Sequence, residues 1–122
     1  MGARSSNLED IRVYQKAMEL GEMVWEVVAP WDYFQKNTVG KQWIRSTDSI
    51  AANISEGFGR YYYKENRLFC YYGRGSLMES RTWLVKARNR KLLSDAQFQK
   101  IWEELEFERG ALNRYINSIG RH

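Results

Sequence analysis

Apolar residues return at alternating steps of three and four along nearly all of this sequence, and a single proline, Pro30, interrupts it. Such spacing places side chains on one face of an α-helix, whereas a half-buried strand alternates every second residue. The pattern therefore predicts long amphipathic helices. At 122 residues the chain makes one domain able to bury a core without disulfides or metal. A hydrophobic fraction of 43% beside 28% charged residues fits a folded chain and excludes a disordered one.

Ser6-Asn7-Leu8-Glu9 reads as a capping box, after which Ile11, Tyr14, Met18, Gly21, Trp25 and Val28 share a helical face. This helix is expected to stop near Ala29, because Pro30 disfavours helical geometry in the residue before it and has no N–H to donate. Trp31 to Gly40 reads as the longest connection, with Asn37 or Thr38 capping the next helix. Its aromatics Trp31, Tyr33 and Phe34 have two readings, a plug over one end of the core or a surface for stacked bases or a protein partner.

The second helix spans Lys41 to Arg60. Trp43, Thr47, Ile50, Ala51 and Ile54 fall on its core side, and Gly57 or Gly59 is expected to supply a left-handed residue where the chain turns away. Arg45, Ser49, Asn53, Glu56 and Arg60 gather on the other side. That stripe is either solvated or an oligomer interface, since small groups that both donate and accept suit a close subunit contact.

After a hinge at Tyr61-Tyr62-Tyr63, the third helix is expected from about Lys64 to Lys91, with Phe69, Tyr72, Ser76, Ser80, Trp83, Leu84 and Ala87 inside. Gly73 in its interior costs about 1 kcal/mol relative to alanine, so a packing reason is expected. Arg67, Arg74, Arg81 and Arg88 repeat every seven residues and form one ridge on another side. Ser94-Asp95-Ala96-Gln97 is a second capping box, and Phe98, Ile101, Trp102, Leu105, Leu112, Ile116 and Ile119 line the fourth helix. Four such helices with mostly short loops predict an all-α, antiparallel up-down-up-down four-helix bundle, a single domain over residues 1–122.

Gln42, Arg45, Ser49-Ile50, Ala52-Asn53-Ile54 and Glu56-Gly57-Phe58-Gly59-Arg60 carry a resemblance, continued by Leu8, Val13 to Ala17, Lys64-Glu65, Phe69, Arg74 to Leu77 and Glu79. These residues resemble the bacterial four-helix-bundle family encoded within intervening sequences of 23S rRNA genes, often labelled ribosomal-protein-like. A related member is the accessory variability protein of diversity-generating retroelements, a five-subunit barrel that binds nucleic acid. The resemblance implies a homo-oligomer, a pentamer among the options, with RNA or DNA as a partner, or a protein partner such as a reverse transcriptase.

The net charge of +4 favours an anionic partner without demanding one. Its distribution is uneven, with eight basic and two acidic residues from Arg60 to Arg90, against two basic and five acidic from Ser94 to Arg109. The molecule is therefore expected to be electrically two-faced. The arginine ridge is the candidate nucleic-acid-binding surface, expected to face solvent. The competing reading pairs it with the acidic fourth helix.

Catalysis finds little material. The only histidine is the terminal His122, so neither the Glu-x-x-His pairs of di-iron bundles nor a histidine-activated nucleophile can be assembled. Glu56 and Glu79 read as partners of Arg45 or Arg60, no phosphate loop is present, and the expectation is a non-enzymatic protein with no cofactor and no metal. Cys70, alone, reads as a small core residue in a reducing cytoplasm. No run of about 18 apolar residues suggests a membrane partner.

Overall fold

The periodicity resolves into four long helices: α1 (Arg12–Val28), α2 (Lys41–Phe58), α3 (Tyr63–Asn89) and α4 (Asp95–Ser118). The computed structural model describes residues 7–121. A 3-10 turn, Leu8–Asp10, precedes α1, which starts after Ile11 without a side-chain cap. Ser6, half of the first expected capping box, and His122 lie outside the described residues. The second box forms as expected, with Ser94 and Gln97 each accepting from the other's backbone N–H at 3.1 and 2.9 Å.

Each helix runs antiparallel to its neighbours. Along α2 and α3, Gly57 lies against Asn66, Asn53 against Gly73, and Thr47 hydrogen-bonds Ser80, so numbers fall on one helix as they rise on the other. α4 returns along α3, with Arg67 at Ile119, Arg74 at Asn113 and Arg81 at Glu106. Lys16 of α1 pairs with Glu104 of α4 at 2.8 Å and closes the ring of four. The bundle is up-down-up-down, and among the described residues it contains no strand.

One core runs down the middle through Leu20, Val24, Trp43, Ile50, Ile54, Leu77, Leu84, Leu105 and Leu112. Burying each of these side chains contributes about 1.5–3 kcal/mol, which is what holds helices of modest intrinsic propensity together. Trp83 and Trp102 pack against this core from its edge and stay half-buried. The five core-side residues expected on α2 are all buried.

α2 and α3 approach most closely. A Cβ at Gly57 would stand 2.8 Å from the Asn66 carbonyl oxygen, and one at Gly73 would stand 3.4 Å from the Ile50 carbonyl oxygen. Gly73 thus has its packing reason. The buried hydroxyls of Thr47 and Ser80 meet at 2.6 Å across this seam, so neither is left unsatisfied.

Several expectations shift. Gly57 and Gly59 are not left-handed: Gly59 has φ −77°, and close approach of α3, not turning, explains Gly57. In α1 the buried line is Val13, Ala17, Leu20, Val24 and Val27, whereas Met18 and Trp25 are exposed. The buried line is thus turned by about 120° from the expected one, toward Leu20 and the valines. In α3 the interior line is Asn66, Cys70, Gly73, Leu77, Ser80, Leu84 and Ala87, leaving Tyr72 exposed.

The connection from Trp31 to Gly40 is mostly helical. Asp32 caps it, its carboxylate accepting from the Gln35 N–H at 2.9 Å, and a helical turn at Tyr33–Gln35 leads through a π-turn at Lys36–Gly40 into α2. Neither Asn37 nor Thr38 is the cap; the Thr38 hydroxyl donates to the Phe34 carbonyl at 2.7 Å inside the turn. Only Trp31 plugs the core, stacked on Trp43 at 6.1 Å between ring centres.

Candidate nucleic-acid interface

The four arginines do form one line along α3, and it lies beside α4, with Arg67, Arg74 and Arg81 half-buried there and Arg88 exposed at the end of the helix. Arg67 donates to the Ile119 carbonyl at 3.0 Å, Arg74 to Asn113 Oδ1 at 2.9 Å, and Arg81 to Glu106 at 2.9 Å. Arg81 also lies 4.1 Å over the Trp102 ring, Arg88 4.2 Å over Phe98, and Arg74 4.8 Å over Tyr71. The expected solvent-facing ridge is therefore corrected. Its alkyl stems cover apolar surface, and its guanidiniums are engaged by rings and acceptors within the same chain. Among the described residues one ion pair, Arg81 with Glu106, joins the basic helix to the acidic one across this seam.

The α2 stripe satisfies itself along its own helix. Ser49 Oγ donates to the Arg45 carbonyl and Asn53 Nδ2 to the Ser49 carbonyl, both at 2.8 Å. Glu56 pairs with Arg60 at 3.0 Å, and Arg60 lies 4.7 Å over the Phe69 ring. Arg45, Glu56 and Arg60 remain exposed, while Ser49 and Asn53 are half-buried near α3.

Cations outnumber acidic groups at one end of the bundle, where α1 ends, α2 begins, α3 ends and α4 begins. The π-turn packs against α3 there. Continuing the Thr47 to Ser80 register toward this pole brings Lys41 about level with Lys86, and Lys36 about level with Lys91. The segments 30–41 and 86–95 hold six cations, Lys36, Lys41, Lys86, Arg88, Arg90 and Lys91, against Asp32 and Asp95, while Glu26 in the last turn of α1 shares a groove with Lys100 beside them. Asp32 is occupied as a helix cap. Among the described residues Lys36, Lys41, Lys86, Arg90 and Lys91 form no ion pair.

Two features sharpen this pole. Tyr33 and Phe34 are 81% and 74% exposed, and neither ring contacts another ring or a cation among the described residues. Lys91 takes the left-handed conformation, φ 59°, that closes the end of α3, with the Leu92 N–H donating to the Ala87 carbonyl at 2.9 Å. Glycine is the usual occupant of that position, and a lysine there costs about 1 kcal/mol. Sequence reasoning noted the aromatics but missed their alliance with these lysines. The available signal was the cations that follow the aromatic run and those that trail the third helix, segments that only the antiparallel register brings together.

Other chemically notable groups lie inside or in shallow grooves. Burial pushes the Cys70 thiol up to about 11, which suits a packing role. Glu79 accepts from the Trp83 indole N–H at 3.1 Å. In an open groove of about 370 Å³ between α1 and α2, burial and then neighbouring Glu22 raise the Asp48 carboxyl above its ordinary range. Glu108 is fully buried in α4, and neither carboxyl oxygen has a hydrogen-bond partner. Among the described residues no group of three or more His, Cys, Asp or Glu is placed to hold a metal ion. No helix among them is long and apolar enough to cross a membrane.

Comparison with known proteins adds the following. The family model described as 23S rRNA-intervening sequence protein matches residues 9–114. A crystal structure of a protein of unknown function from the S23 ribosomal protein family of Bacteroides thetaiotaomicron has a TM-score of 0.76 to this fold at 20% identity, over 85% of this chain and 97% of that one. At that identity the likeness concerns the fold. No curated protein matches the sequence.

Proposed function

This chain belongs to the family of 23S rRNA-intervening sequence proteins, and on that premise we propose that it is a non-enzymatic, self-associating bundle that holds nucleic acid, RNA or DNA, on its basic pole in the cytoplasm. The observation that carries this reading is the set of unpaired cations gathered by the ends of α2 and α3. Phosphates are what such a set of ammonium and guanidinium groups would take. The engagement of Glu56, Glu79 and Cys70 in structural contacts supports the non-enzymatic side.

Fluorescence anisotropy with a labelled RNA and a labelled DNA strand tests it under a salt titration. If four of the pole's cations contact phosphates, log K should fall with log salt at a slope of roughly −3 per subunit engaged. Absence of salt-sensitive binding to either strand would leave the proposal without support.

A second reading, an assembly or adaptor subunit, is favoured by one observation. The outer side of α3 exposes Leu68, Tyr71, Tyr72 and Met78 around Gly75, whose neighbourhood is open. A run of exposed apolar residues of this kind suits a subunit or protein contact, with the α2 stripe at its margin. Light scattering at tens of micromolar should give a multiple of the 14.5 kDa chain mass, five for the ring that the resemblance implies. A strictly monomeric protein would remove self-association.

A further inference from the structure

We infer that the basic pole recognises unpaired nucleic acid, with Tyr33 and Phe34 as stacking platforms for exposed bases; this rests on the nucleic-acid reading above. Long-range charge alone does not separate a duplex from a single strand, because both present phosphates. Aromatic faces do separate them, since a base must leave its own stack to lie on a ring.

The case for these two rings begins with what they fail to do. A tyrosine and a phenylalanine at a chain turn ordinarily fold back over the core, as Trp31 does here against Trp43. Tyr33 and Phe34 instead stay largely in water, on backbone held by the Asp32 cap at the Gln35 N–H and by the hydrogen bond from Thr38 to the Phe34 carbonyl. They are exposed yet held on rigid helical backbone. Lys36 follows Tyr33 by three residues and Lys41 begins α2, so cations follow the rings along the same helical path.

The other exposed tyrosines lack these conditions. Tyr61 and Tyr62 pack edge-to-face on each other at 4.9 Å. Their end of the bundle sets Arg12, Arg60, Lys64, Arg67, Arg114 and Arg121 against Glu9, Asp10, Glu56 and Glu65, a smaller positive excess than at the Tyr33 pole, and Arg67 is engaged by the Ile119 carbonyl. Among the described residues, exposed rings without a ring or cation partner coincide with the larger positive excess at the Tyr33 pole.

The test uses the full chain, a labelled oligouridine strand and a labelled RNA duplex of matched length. The wild type should prefer the single strand by about tenfold or more. Tyr33→Ala with Phe34→Ala should remove most of that preference while leaving duplex affinity, the salt slope and the thermal melt unchanged, because both rings are solvent-exposed. Tyr33→Trp with Phe34→Trp should preserve it. Ultraviolet crosslinking should place the base adduct on Tyr33 or Phe34. Equal affinity for both probes, undiminished single-strand binding by the alanine variant, or adducts confined to Tyr61 and Tyr62 would overturn the inference while salt-sensitive binding left the broader function standing. Loss of salt-sensitive binding to every probe would instead sink the function on which the inference rests.

Discussion

Replacing Glu108 with leucine should raise the stability of the bundle by about 2–4 kcal/mol at neutral pH, read as a higher urea midpoint. The carboxyl is fully buried between Leu105 and Leu112 on the interior line of α4, and neither oxygen has a hydrogen-bond partner. Burial pushes its pKa up to about 8; Lys16 pulls it down, while Glu104 and Glu19 add to the rise. At neutral pH the group is therefore mostly a neutral acid, kept so because ionising it in the core would cost more than binding a proton.

The pH dependence follows in sign. A carboxyl whose folded pKa exceeds its unfolded value makes the native state bind the extra proton, so stability falls as pH rises from about 4.5 to about 8. The greatest slope is roughly 1.4 kcal/mol per pH unit. Glu108→Gln keeps the shape and cannot ionise, so its urea midpoint should lose this decline while Glu108→Leu gains stability as well. A Gln variant with the wild-type pH profile would show that the decline arises elsewhere.

Glu108 also illustrates where the sequence stops being legible. Leu105, Leu112 and Ile116 announce the core face of the last helix, but a glutamate on that face offers no sign that it is buried unpartnered rather than turned outward. The fold itself was readable because four amphipathic segments can bury their stripes in few ways, and the family resemblance pointed to the same bundle. Phase was less secure. α1 carries two apolar lines about 120° apart, one through Tyr14, Met18 and Trp25 and one through Val13, Ala17, Leu20 and Val24, and packing against α2 and α4 selects the second. The helical path through Tyr33 to Gly40 was hidden because Gly40 and the polar run before it read as loop, while the Asp32 cap and π-turn depend on how α1 delivers the chain.

The candidate site was half visible for a related reason. The sevenfold spacing of Arg67, Arg74, Arg81 and Arg88 fixes that they share a line on α3, yet spacing is silent on what stands opposite that line. The rings of Phe98 and Trp102 and the carboxylate of Glu106 stand there. Lys36, Lys41, Lys86 and Lys91 are scattered in the sequence, and only the antiparallel register gathers them.

Reversing charge at the pole should cost nucleic-acid affinity far more than any other pair of surface changes. Lys86 and Arg90 are exposed near the end of α3 and make no ion pair within the described residues, so Lys86→Glu with Arg90→Glu removes two cations and adds two anions without touching the core. Affinity should fall by roughly a hundredfold at moderate salt, and the salt slope should lessen by about two. The helical signal should stay as in the wild type, and the melt should fall only slightly, because two anions at the C-terminal end of α3 cost about 0.3–1 kcal/mol each against the helix dipole. Lys91→Gly is the gentler companion: removing left-handed strain should stabilise the protein by about 1 kcal/mol while affinity declines. Stability and binding moving in opposite directions is an outcome that general unfolding cannot mimic.

The seam offers the matching control. Arg81→Glu would face Glu106 and leave the Trp102 ring uncovered, so its main expected effect is a loss of about 1–3 kcal/mol of stability. Arg74→Gln with Arg81→Met removes both charges more gently, keeps a donor near Asn113 and keeps apolar cover over Trp102. The most direct measurement is anisotropy of one labelled single strand against three folded proteins: the wild type, the pole variant Lys86→Glu with Arg90→Glu, and the seam variant Arg74→Gln with Arg81→Met. A basic pole that holds nucleic acid predicts near-complete loss of binding in the pole variant and near wild-type binding in the seam variant. The reverse order, with binding lost at the seam and kept at the pole, would contradict it.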